Sequence, residues 1–366
     1  MDSTSMITCP NCMSKSILKK GYRKNKMEKT PKYYCKGCGR YFVGRKMLNK
    51  SYPANVILTA ISLYNKGMTL EQASLEINKR FHVKTYPKLI STWLKEFSKV
   101  CAFRRIRGKI REGRKSGFPN PVLEKLFDHK QPYLYKCHKL KLGMFLTEYY
   151  LGLKEYLLNV QSICPNDLFI DDNARGSRIQ FCHNTPILKK KNFACELAGL
   201  ALKMAKTNRE RHGIIQDFML ANDTSTIAVE VPVWLSKEEV KRLDSEFNVF
   251  GFDSCITGHI DLVQARFGII YLLDYKPGAE KVDAVSQLFT YALALSERTG
   301  VWLRNFRCAW FDESVYYEFN PNEIILMNLE KKFGRVPEAY LRKFVLDEKA
   351  KRYFTSKSFH EKRGGL

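Results

Sequence analysis

Two apolar runs in the last third of the chain, each carrying a carboxylate, constrain the fold more than any other feature. Ile260, Leu262 and Val263 flank Asp261, and Ile269, Ile270, Tyr271, Leu272 and Leu273 lead into Asp274. Runs of this composition read as buried strands of a small sheet. Residues two apart on a strand share a face, so Asp274 and Lys276 point the same way. Two such carboxylates and a lysine are what metal-assisted phosphodiester cleavage requires. The carboxylates hold a divalent cation, while the lysine orients the attacking water and stabilises developing negative charge.

The surrounding sequence predicts helices over residues 193–206 and 213–220, a strand over 227–234 and the two Asp-bearing strands. A helix over about 282–297 and a strand over 301–310 complete the block. Gly258 lies three residues before Asp261, and Gln287 and Tyr291 lie four apart on one face of the later helix. The patterns G-x-x-D, D-x-K and Q-x-x-x-Y, in this order, resemble the RecB-type branch of the PD-(D/E)xK nuclease superfamily across residues 191–330. The resemblance implies a restriction-endonuclease-like αβββαβ core. It implies that Asp261 and Asp274 bind Mg²⁺ or Mn²⁺, with the backbone carbonyl of Tyr275 as a third oxygen, and that Lys276 positions the water. Gln287 and Tyr291 would brace the site or hold the DNA backbone near it. The family pattern adds a Gly followed four residues later by His. Here Gly213 is followed at that distance by Asp217, a departure that still offers a metal-binding carboxylate. Glu196 on the preceding helix is its rival, and Glu230, in Glu-x-Pro, lies on the neighbouring strand. Only Cys308 follows Tyr291 among the cysteines, so the iron–sulfur cluster of some RecB-type nucleases is not expected.

The formal charge of +25 is concentrated at one end. Residues 1–120 hold 27 Lys or Arg against 6 Asp or Glu, whereas residues 121–366 hold 35 against 31. A concentrated basic region suits a polyanion, most often nucleic acid. No apolar stretch is long enough for a membrane span, and residues 1–6 lack the regions of a signal peptide, so a soluble cytoplasmic or nucleoid-associated protein is expected.

Four of the 11 cysteines form two C-x-x-C knuckles, Cys9/Cys12 and Cys35/Cys38, separated by 22 residues. Such spacing suits a closed tetrahedral structural zinc site. With the Lys-rich arm between the knuckles and the aromatic finish Tyr41-Phe42-Val43, residues 1–48 resemble the zinc ribbon of some transposase-associated proteins. The other seven cysteines read as free thiols.

Residues 50–103 read as three helices. Gly67 ends the first. Thr69 and Gln72 make a capping box for the second. The third, over 87–97, turns Leu89, Ile90, Trp93, Leu94 and Phe97 inward and leaves Lys88, Ser91, Thr92, Lys95 and Lys99 outward. The segment resembles the helix-turn-helix of transposases and resolvases, which implies a third helix in a major groove. Arg104, Arg105 and Arg107 open a run in which seven of 12 residues are basic. It reads equally as a phosphate-tracking linker and as a solvated one. Residues 104–190 are expected to be this linker and a mostly helical connector, and 331–366 a basic tail. Asp171 and Asp172 read as a turn without assigned chemistry.

The expectation is therefore a multidomain α/β protein: a metal-dependent DNA nuclease placed by a zinc ribbon and helix-turn-helix. The alternative is a non-catalytic DNA-binding regulator, or mobile-element protein, with a nuclease-like fold. RNA as substrate, a homodimer and a separate ATPase partner stay open.

Overall fold

The computed structural model describes residues 9, 11–12, 14–24, 29–43, 50–99, 101, 108, 121–146, 148–170, 175–251 and 254–337. Arg104, Arg105, Arg107, Asp171, Asp172 and most of the expected tail lie outside them.

The N-terminal part is a three-stranded antiparallel sheet of β1 (Ile17–Lys24), β2 (Lys29–Cys35) and β3 (Tyr41–Val43). The Lys-rich arm is thus the β1–β2 hairpin. Cys35 closes β2, and the Gly39 amide donates back to the Cys35 carbonyl at 2.9 Å. Gly39 makes this turn at φ +69°, a conformation that glycine adopts without strain.

Three helices follow: α1 (Ala54–Asn65), α2 (Leu70–Phe81) and α3 (Pro87–Glu96). The capping box forms as the sequence predicts. Gln72 N donates to Thr69 Oγ1 at 3.1 Å, and Thr69 N to Gln72 Oε1 at 3.0 Å. Ser74 and Asn78 of α2 hydrogen-bond Thr85, which fixes the turn into α3. Ile90 and Trp93 are buried, while Lys88, Thr92 and Lys95 are exposed and Ser91 is half-buried.

The region expected to be a helical connector instead begins the main sheet. Strands β4 (Val122–Asp128) and β5 (Pro132–His138) form an antiparallel hairpin, followed by α4 (Lys139–Phe145), α5 (Leu151–Ile163) and β6 (Leu188–Lys190). The sequence hid the hairpin because β4 lies at the sheet edge, where its alternation is mixed with charge. Then come α6 (Phe193–Ala201), α7 (Arg211–Asn222), β7 (Thr226–Leu235), α8 (Lys237–Phe247), β8 (Ile256–Arg266) and β9 (Ile269–Tyr275). The described chain ends with α9 (Val285–Thr299), β10 (Phe306–Phe311), β11 (Tyr316–Phe319) and α10 (Pro321–Phe333). Helix α8 was not anticipated, although Ser236 and Glu239 form a capping box that marks its start.

The eight-stranded mixed sheet runs β4-β5-β7-β8-β9-β10-β11-β6. Strands β5, β7, β8 and β9 pair antiparallel, whereas β9 and β10 are parallel and joined across α9. A parallel pair needs such a crossover because its ends lie at opposite edges. One core packs α5 and α9 on the sheet. A second core contains Ile57, Ile61, Ile90 and Trp93 of the three-helix unit together with Leu197 of α6, Ile215 and Phe218 of α7 and Leu273 of β9. The three-helix unit is therefore continuous with the α/β body. Buried Asn65 donates to Asn222 Oδ1 at 2.8 Å, and Asn222 donates to Ser62 Oγ at 2.8 Å. Among the described residues no helix is long and apolar enough to cross a membrane.

Candidate functional site

The centre of the sheet holds three carboxylates on three successive strands. Val229 pairs with Leu262 and Val231 with Ile260, which sets Glu230 of β7 opposite Asp261 of β8. Asp274 lies near the end of the adjacent β9, and its carboxyl and that of Asp261 influence each other's ionisation. All three are placed where hydration is poor, and burial dominates the ionisation of Asp274 and Glu230. Burial, then the neighbouring Asp261, pushes Asp274 up to about 8 and Glu230 up to about 7. Burial would raise Asp261 as well, but the His212 hydrogen bond and the charges of His212 and Lys276 hold it below the usual range.

Lys276 sits on the same face as Asp274, as the two-residue spacing requires. Its Nζ is 2.8 Å from Asp274 Oδ2. Asp274 Oδ2 has this charge contact but no hydrogen-bond partner among the described residues. Glu230 Oε2 is likewise buried without one. Lys276 is held by its amide, which donates to the Phe311 carbonyl of β10 at 2.9 Å. Glu230 adopts φ +49°, which a non-glycine residue pays to hold, and strain of this kind gathers at functional sites.

Helix α7 supplies two partners that the sequence did not single out. His212 Nδ1 is 3.3 Å from Asp261 Oδ2, and Gln216 Nε2 donates to Glu230 Oε1 at 2.6 Å. The contact with Asp261 raises His212 above the usual imidazole range. Asp217, expected at the metal, faces Lys136 of β5 instead, at 2.5 Å. The reason is helical geometry: His212 and Gln216 are one turn apart, and Asp217 is rotated a further ~100° away. The useful signal was the histidine beside Gly213. Glu196, its rival, is exposed on α6.

Tyr291 of α9 is buried against Gly258, and Gln287 Nε2 donates to its hydroxyl at 3.4 Å. A Cβ on Gly258 would stand 2.6 Å from the Tyr291 hydroxyl oxygen, and closer to the ring. Gly258 is thus required for space, not for backbone freedom. Gly258→Ala is expected to cost about 1–3 kcal/mol through overpacking and to move Tyr291. Urea unfolding checks this, and an unchanged midpoint would mean that the ring moves freely.

Beside Asp261, His259 of the same strand is joined by residues from segments with no sequence motif. His259 stacks on Tyr133 of β5 with ring centres 3.7 Å apart. Its Nε2 lies 3.0 Å from His129 Nδ1, and His129 Nε2 lies 2.9 Å from Asn166 Oδ1. If Asn166 Oδ1 accepts, His129 Nδ1 must accept from His259, which fixes both tautomers.

A second candidate centre lies at the N-terminus. The Sγ atoms of Cys9, Cys12, Cys35 and Cys38 all lie within 4.8 Å of one another, with Cys9–Cys38 at 3.6 Å and Cys12–Cys35 at 3.5 Å. Four thiolates ~2.3 Å from one zinc ion stand ~3.8 Å apart. These four close cysteines could therefore hold a structural metal such as zinc. Among the other seven cysteines, Cys101, Cys137, Cys164, Cys195 and Cys308 are buried thiols.

No family model, curated protein or solved structure matches this chain.

Proposed function

We propose that this protein is a divalent-metal-dependent DNA nuclease, with the three-helix unit acting as a helix-turn-helix and the four-cysteine module as a zinc ribbon. The observation that carries the reading is the convergence of Asp261, Asp274, Glu230, Lys276 and His212, with two buried carboxylate oxygens lacking hydrogen-bond partners among the described residues. Hard carboxylate oxygens of this kind fit Mg²⁺ or Mn²⁺. Asp261, Asp274 and Glu230 would hold the cation, which when bound polarises the phosphodiester and lowers the pKa of water.

The protein's own groups do the rest. Lys276 orients the water and balances charge on the phosphate as it builds. His212 and the Tyr275 amide, which donates to Asp261 Oδ2 at 3.0 Å, hold the Asp261 carboxylate in place. Gln287 and Tyr291 brace the strand beneath it. Lys88, Ser91, Thr92 and Lys95 line the outer face of α3 and suit a groove with phosphate walls. In this reading the fold around Asp261 and Asp274 is the restriction-endonuclease-like core.

The test is cleavage of labelled single- and double-stranded DNA and RNA with Mg²⁺, Mn²⁺ or EDTA. Cutting of DNA that EDTA abolishes supports the reading, and no cutting under any metal argues for a regulator. A second check uses the raised carboxylates. Folded Asp274 and Glu230 bind protons more tightly than they do unfolded, so the metal-free protein loses stability as pH rises from about 4 toward 8. The cation must displace those protons, so Mn²⁺ is expected to raise the melting temperature more at pH 8.5 than at pH 6. A Mn²⁺ effect that is flat across this range would argue against Asp274 and Glu230 as its ligands.

A further inference from the structure

The N-terminal sheet carries an aromatic row on one of its faces. Leu18 of β1 pairs with Tyr34 of β2, and Tyr34 pairs with Tyr41 of β3. Residues directly opposite on paired strands point to the same side, so the three form one row across the sheet. The Tyr34 and Tyr41 rings are accordingly centred 5.0 Å apart. Lys32, two residues before Tyr34, shares that side, and its Nζ lies 4.6 Å over the Tyr41 ring. Tyr33 and Phe42 stack on each other on the reverse side.

Tyr41 is 57% exposed and Leu18 39%, and neither hydrophobic core includes any described residue of this module. A contiguous exposed row of this kind marks a contact surface. Charge says what it contacts. Residues 14–43 hold 10 Lys or Arg against one carboxylate, Glu28. Interfaces between proteins are poor in lysine, whereas such an excess attracts a polyanion. The rings narrow the choice further. In a duplex the base faces are stacked on one another and only their edges show, while in a single strand the faces are open to an aromatic ring. Helix α3 is built differently, with Lys88, Thr92 and Lys95 exposed and the Trp93 ring buried.

We infer that this face is a stacking platform for an unpaired stretch of nucleic acid, with a base on the Tyr41 ring and the adjoining phosphate on Lys32. The inference rests on the reading of the protein as one that works on nucleic acid, and it adds the state of the strand that the module holds. The base takes the ring face that the Lys32 ammonium now covers, and the flexible lysine stem carries that charge to the phosphate beside it. The two contacts divide the work: stacking requires a base, and the ammonium requires only the backbone.

The experiment measures binding to the full chain, purified with zinc and without Mg²⁺ or Mn²⁺. The probes are an oligothymidylate of about eight nucleotides, an abasic strand of the same length, and a duplex of that length. The abasic strand keeps the phosphates and lacks the bases. The wild type is expected to bind the oligothymidylate about tenfold more tightly than the abasic strand, the worth of one stacked base. Tyr41→Ala removes that preference and leaves abasic and duplex binding unchanged, whereas Tyr41→Phe retains it. Lys32→Gln lowers the slope of log affinity against log salt by about 0.7 on both single strands, the loss of one phosphate contact. Hydrogen exchange of β1 and β2 checks that the variants fold. Equal wild-type affinity for the two single strands, or a preference that survives Tyr41→Ala, overturns the inference. Failure to bind any strand overturns it too, and leaves the face to an acidic protein. DNA cleavage with Mn²⁺ is measured separately. A wild type that cuts DNA without preferring bases over the abasic strand sinks the platform and leaves the nuclease reading standing. One that cuts nothing, yet loses its preference with Tyr41→Ala, does the reverse.

Discussion

Lys276→Ala is expected to lower metal-dependent DNA cleavage by about 10²–10³-fold, the usual cost of removing one preorganised group that stabilises transition-state charge, while DNA binding stays intact. The magnitude follows from where the ammonium sits. It is 2.8 Å from Asp274 Oδ2, on a backbone tied to β10, so it does not have to reorganise when negative charge builds on the phosphate. In the proposed reading DNA is held by the exposed residues of α3, a different element, which is why binding and cutting should separate. The substitution also removes the cation that opposes the raised ionisation of Asp274, so that carboxyl should hold its proton to still higher pH. The cleavage optimum of any residual activity should move upward accordingly. Only background cleavage in both proteins, with tight DNA binding, would favour the regulator reading, and equal metal-dependent cleavage would exclude Lys276 from the chemistry.

The second large effect is expected at the other end. Among the described residues of 9–43, only Cys9, Thr30 and Cys35 are buried, and neither hydrophobic core includes any of this segment. Three short strands with exposed Leu18, Tyr22 and Tyr41 cannot hold together by burial. If zinc fills the four-cysteine site, it supplies on the order of 10 kcal/mol of folding free energy there. Cys35→Ser, or treatment with a strong chelator, should therefore unfold residues 17–43. The α/β body and its three-helix unit should melt as before. Hydrogen exchange resolved along the chain measures both. Persistent protection of β1 and β2 after metal removal would show that the hairpin stands without the ion.

How much of this was legible in the sequence depended on whether the signal was local. The capping box of α2 is written in Thr69 and Gln72, three residues apart, and the structure forms both bonds. The four cysteines gather because each pair sits on a tight turn at one end of a hairpin. Asp274 and Lys276 share a face because the strand period is two. The region 122–190 was opaque for the opposite reason. Strands β4 and β5 are stabilised by pairing with each other and with β7, and β4 carries charged residues at the sheet edge.

The site divides along the same line. The sequence by itself put Asp274 and Lys276 on one face of a strand and Gln287 and Tyr291 on one face of a helix, because strand and helix periodicity fix which neighbours share a face; their grouping with Asp261 came from the family resemblance. Only the tertiary structure decided that His212, and not Asp217, meets Asp261, since the two residues project from different sides of α7 and the packing of that helix settles which side meets β8. Likewise, Tyr133 meets His259, two residues from Asp261, only because β5 pairs into the same sheet. Contacts between residues so far apart in the chain depend on the packing of whole elements, and no short pattern of residues encodes that packing.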